Sequence, residues 1–108
     1  MPKKQEVVYT LVELSFDLSL MQPHQGTPFC PRVTTYNKLK TAEKAASQQI
    51  EHLYKAYKNS DIRENSQDAT EDTVWKYNHV LFIKDEQNDL QCLFQIWETP
   101  VLKKHDLE

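Results

Sequence analysis

Residues 7–20, VVYTLVELSFDLSL, alternate with unusual regularity: Val8, Val12, Leu14, Phe16, Leu18 and Leu20 share one parity, and Glu13, Ser15, Asp17 and Ser19 the other. Side chains of an extended chain point alternately to its two faces, so the stretch predicts a long strand with one apolar side. Such a strand is not stable alone; it needs neighbours in a sheet and an element to cover the apolar face. Val7, Tyr9 and Leu11 make the first half apolar on the second side as well, which sets that half centrally in a sheet or under a cover.

The cover comes from NKLKTAEKAASQQIEHLYKAYKNSD, residues 37–61. Leu39, Ala42, Ala46, Ile50, Leu53 and Tyr57 recur there at spacings of three and four, with Ala45 and Tyr54 widening the stripe. Thr41 or Asn37 serves as the expected amino-terminal cap, with Glu43 in the first turn, favoured by the helix dipole, and Lys55 and Lys58 near the carboxyl end. Two further strand patterns follow, Thr73 to Lys84 and Leu90 to Glu98, around the polar turn DEQND, and they predict a hairpin. Pairing Lys84 with Leu90 joins Val80 to Phe94 and Phe82 to Cys92, gathering apolar residues on one face.

Connecting stretches are read from their breakers. HQGTPFCPRVTTY, residues 24–36, holds the chain's single glycine together with Pro28 and Pro31, and the segment from Gln22 to Arg32 reads as an irregular connector before a short strand at Val33–Tyr36. Residues 59–73 offer only Ile62 and Ala69 as apolar members and are expected to form a mobile acidic loop. The closing Leu107-Glu108 has the form a cloning site leaves, and residues 105–108 are expected to be disordered. The fold class is therefore α+β: one domain over 1–108, a small antiparallel sheet of three to four strands with one amphipathic helix on one face, in the order β-(β)-α-β-β.

Function is constrained mainly by what the sequence lacks. The broken amino-terminal apolar run fits neither a signal peptide nor a membrane span, and with two cysteines far apart as ordinary thiols the expectation is a cytoplasmic protein. Histidines 24, 52, 79 and 105 and cysteines 30 and 92 show no close ligand spacing, so no metal and no cofactor is expected. Cys30 with His24 has no orienting third group, and the carboxylates cluster in solvated runs, so no catalytic residue is assigned and the chain is not expected to be an enzyme. A net charge of -3 weighs against nucleic acid, although Trp75, Tyr77 and Trp97 could stack bases.

With the pairing above, the hairpin face away from the helix carries Trp75, Tyr77, His79, Leu81, Ile83, Leu93 and Trp97, an aromatic and aliphatic patch that asks for a partner. The expected function is a small non-enzymatic protein-interaction module that binds itself as a homodimer, or another protein, through those residues. One alternative is an acidic inhibitor or immunity-type protein that presents Asp61–Asp72 to a basic partner; another is an enzyme or enzyme subunit whose site forms at a dimer interface around His79.

Overall fold

The computed structural model describes residues 6–18 and 29–101. Five strands and one helix follow one another as β1 (Val7–Asp17), β2 (Phe29–Tyr36), α1 (Leu39–Ala56), β3 (Asp61–Gln67), β4 (Trp75–Lys84) and β5 (Asp89–Pro100). The strands form a single antiparallel sheet in the order β2-β1-β5-β4-β3. Helix α1 leaves β2 at one edge and delivers the chain to β3 at the other, so it must cross a face of the sheet. The α+β class stands, with five strands in place of three to four. His24, His105 and the residues expected to be disordered at 105–108 lie outside the described residues.

The extra strand is β3, inside the segment expected to be a mobile loop. An edge strand needs only one hydrogen-bonded neighbour and little apolar area of its own. Asp61–Gln67 pairs with β4 along its whole length, and Ile62 opposite Ile83 packs against the core. Its charged composition suits an edge, because charges there discourage further strand addition. Strand β2 is longer than expected and takes in Pro31, a residue confined to positions where no ladder donor is needed, as on an edge.

Helix α1 lies within the expected stretch but ends at Ala56, so Lys58 falls beyond it, the first turn holds no acid because Glu43 lies further in, and the start differs too. Lys38 is the amino-terminal cap, in extended conformation and without a side-chain cap bond, so neither Thr41 nor Asn37 performs that task. At the other end the Tyr57 N–H donates to the Leu53 carbonyl at 2.9 Å, and Lys55 lies in the last turn as expected.

The hairpin register corrects the expected one by a single residue. Lys84 pairs with Asp89, which brings Ile83 opposite Leu90, Leu81 opposite Cys92 and Val80 opposite Leu93. The cause lies in the turn. One Asp85 carboxylate oxygen accepts the backbone N–H groups of Gln87 and Asn88, both at 2.7 Å, while the other accepts the Ser60 hydroxyl at 2.5 Å. The Asp85 N–H donates to the Asn88 carbonyl at 2.9 Å, so the connection closes over four residues rather than five. Because side chains alternate, one residue of register moves the β4 side chains from Tyr77 to Lys84 to the other face relative to β5, while an irregularity between Trp75 and Tyr77 keeps Trp75 on the side of Trp97.

The core follows from that register. Ala42 and Ala46, both small, let the helix approach Leu11 and Ile96 closely, while Ile50 packs on Leu81, Ile83, Leu90, Cys92 and Phe94. Every buried strand residue lies on this one face.

The four contacts to Asp85 hold its carboxyl down at about 2, with the Ser60 bond the largest cause, followed by Asn88 and the Gln87 N–H. Its contribution to stability is present above the ordinary carboxyl pKa near 3.8 and is lost as pH falls towards about 2. Replacing Asp85 by Ala is expected to lower the denaturation midpoint at neutral pH and to remove part of the decline between about pH 4 and pH 2. Parallel pH slopes for wild type and variant would rule out this account of the turn.

Candidate functional site

Among the described residues, no helix covers the side of the sheet away from α1. Leu14, Leu93 and Val80 are neighbours across β1, β5 and β4, with Phe16 and Phe82 flanking Gln91 one step along the strands. Towards the other end Trp97 lies opposite Trp75, and Val12 of β1 pairs with the exposed Val33 of β2. None of these side chains is buried, in contrast with the face beneath the helix.

Polar groups on the open face bond one another. Trp97 Nε1 donates to Gln95 Oε1 at 2.8 Å, Gln95 Nε2 to Asn78 Oδ1 at 3.0 Å and Asn78 Nδ2 to Gln67 Oε1 at 3.3 Å. This chain of amides runs across β5, β4 and β3, and Thr10 and Thr99 bond at 3.2 Å beside it. Charged groups collect at one corner, where Asp61, Arg63, Lys84 and Asp89 surround Phe82.

The seven residues expected to form one patch are divided by the observed register. Trp75, Leu93 and Trp97 lie on the open face. Leu81 and Ile83 are 0% exposed beneath α1 and belong to the core, and Tyr77 packs against both core clusters from the same side. His79 shares that side, since it pairs with Phe94. Sequence reasoning missed Leu14, Phe16, Val80 and Phe82. The apolar parity of β1 that includes Leu14 and Phe16 reads as the covered side, whereas α1 lies over the other parity at Leu11, and the β4 pair was assigned to the helix side by the wrong register.

His79 sits in a separate cluster at the margin of the helix. Its ring stacks on Tyr77 with centroids 5.9 Å apart, Nδ1 lies 2.8 Å from the Ser66 hydroxyl, and Nε2 abuts the Glu64 carboxylate. In the bond between Ser66 and Nδ1 either group can be the donor, according to the tautomer of the ring. Tyr54 of α1 donates to the second Glu64 oxygen at 2.9 Å. Serine, histidine and carboxylate in series have the connectivity of a proton relay. Ser66 and Glu64 are exposed on an edge strand, however, and a relay that accelerates chemistry works where water is excluded. The cluster joins β3 to β4 and to the carboxyl-terminal half of α1.

Burial pushes the Cys92 thiol up, against a weaker opposing bond from Ser15, so Cys92 is not a thiolate nucleophile at neutral pH. Burial also raises Glu13, which Arg32 partly offsets at 3.7 Å. No cluster of metal-ligating residues occurs among the described residues, and no helix there is long and apolar enough to cross a membrane. Comparison with known proteins gives no match: no family model, no curated protein and no solved structure.

The His79 cluster has a measurable signature. Replacing His79 by Ala is expected to cost roughly 1–3 kcal/mol through the lost bonds and ring contact. Amide exchange is expected to accelerate in β3 more than in β1. Uniform acceleration across the sheet would show that His79 serves general packing only.

Proposed function

We propose that the chain is a non-enzymatic protein-interaction module whose working surface is the open face of the sheet. The observation that carries this reading is the one-sidedness of the core: all buried strand residues face α1, while Leu14, Leu93, Val80, Phe16 and Phe82 form an apolar area on the other side. Soluble monomers rarely leave a contiguous apolar area of several hundred Å² uncovered. The surface also has an apolar centre of Leu14, Leu93 and Val80, with aromatic residues towards both ends of the strands and charges at one corner.

The acidic-inhibitor alternative loses its concentrated surface, because β3 alternates. Asp61 and Arg63 point to the open side and are paired with each other at 3.3 Å, while Glu64 points to the helix side and is held by Tyr54 and His79. Asp68, Glu71 and Asp72 remain in the following loop. An enzyme reading around His79 is weakened by the exposure of Ser66 and Glu64.

Two substitutions test the assignment of the faces. Leu93→Asp puts a charge on the open face and is expected to leave far-ultraviolet circular dichroism and cooperative melting intact. Leu81→Asp puts the same charge into the core, where an unpaired carboxylate costs several kcal/mol, and is expected to unfold the chain. If Leu93→Asp unfolds the chain as Leu81→Asp does, the open face is part of the folded core and the proposal fails.

A further inference from the structure

We infer that the occupant of the open face is a second copy of this chain, seated face to face to form a two-sheet sandwich about a two-fold axis near Leu93. This rests on the open face being the working surface and adds the identity of its partner. Five strands about 4.8 Å apart and about ten residues long, at about 3.3 Å per residue, span roughly 24 by 33 Å. That is on the order of 800 Å² per copy, the amount that stable protein interfaces of standard size bury on each side.

Shape and symmetry favour a second copy over an unrelated protein. Two sheets of like twist pack aligned at about -30° and about 10 Å apart without adapting their backbones, and another copy brings a sheet of the same twist by construction. The strand order β2-β1-β5-β4-β3 puts β5 in the middle with two strands on either side. Leu93 lies near the middle of β5 and points to the open face. A two-fold axis through that point therefore superimposes one whole face on the other, with Leu93 near its own symmetry mate, as a closed isologous dimer requires.

The polar content of the face also permits burial by a like surface. The bonds linking Trp97, Gln95, Asn78 and Gln67 occupy these polar groups within the chain, so covering them strands few donors. The charged corner holds two acids, Asp61 and Asp89, and two bases, Arg63 and Lys84, so it has no net sign to repel a copy of itself.

The test combines solution mass with a cross-link in the full chain. Light scattering from about 1 μM to about 1 mM is expected to show twice the 12.8 kDa chain mass at the upper end, and Leu93→Asp is expected to remain folded at the single-chain mass. In a Cys30→Ser background, Leu93→Cys is expected to form an intermolecular disulfide under mild oxidation, while Gln48→Cys on the exposed side of α1 is not. A wild-type chain that is monomeric throughout, with a folded Leu93→Asp variant, overturns the second copy and leaves the face for a different protein. A doubled mass that persists in Leu93→Asp also overturns it, by moving the contact elsewhere. An unfolded Leu93→Asp removes the face assignment on which both proposals stand.

Discussion

The four-residue turn at Asp85 decides the identity of both faces of this molecule. By accepting the Gln87 and Asn88 N–H groups and the Ser60 hydroxyl, its carboxylate closes the hairpin one residue tighter than apolar matching on its own suggests. From Lys84 opposite Asp89 it follows that Ile83 meets Leu90 and Leu81 meets Cys92, and these four become the floor beneath Ile50. The same register sends Val80 and Phe82 outward to join Leu93. In a hairpin with period-two side chains a slip exchanges the whole set up to the next irregularity, which here lies between Trp75 and Tyr77. Ser60 belongs to the link between α1 and β3, so the turn is tied directly to the end of the helix as well.

The helix then sets which residues on its own face can be polar. An 18-residue helix is about 27 Å long and about 10 Å wide, enough to lie across the sheet as a diagonal strip but not to cover it. It starts over Leu11 and Ile96 and ends over Ile83 and Ile62. The two corners off that diagonal hold the polar groups: Glu13, Ser15 and Asp17 with Arg32 on one side, and His79, Ser66 and Glu64 on the other. In each corner acids meet neighbours that can answer them, as with Arg32 for Glu13 and Tyr54 for Glu64. The His79 cluster lies at the half-wet margin of an incompletely covered sheet, where its polar groups find partners in one another.

What the sequence made legible was periodicity that one element carries alone. Strand β1 and helix α1 declare themselves, because alternation and the three-and-four spacing are local properties of Val7–Asp17 and Leu39–Ala56. Two things were not local. Strand β3 has no apolar pattern; it exists because β4 offers a hydrogen-bonding edge and Ile62 finds Ile83, a partner 21 positions away in sequence. Register in the hairpin was judged by matching apolar residues, and a strand apolar on both sides, such as Val80–Ile83, satisfies that criterion in either register. The turn chemistry of Asp85 was the discriminating signal, and it was written in the sequence as an Asp followed three residues later by Asn. Of the candidate patch, Trp75, Leu93 and Trp97 were placed on the open side, and the inward residues were included only through the shift.

The edges of the sheet and its open face are guarded differently. An exposed sheet can bind through its edges, by adding a strand, or through its face, by stacking. Both edges here are blunted: β3 carries Asp61, Arg63 and Glu64 within seven residues, and β2 contains Pro31, which can donate to no ladder. Edge addition is open-ended and leads towards aggregation, whereas stacking two faces closes after one event. The open face, by contrast, carries its charges at a corner and leaves Leu14, Leu93 and Val80 unguarded in the centre. A sequence that spends charge and proline on its edges while keeping an apolar row across its middle disfavours chain-to-chain strand pairing and leaves the flat side as the surface where burial gains most.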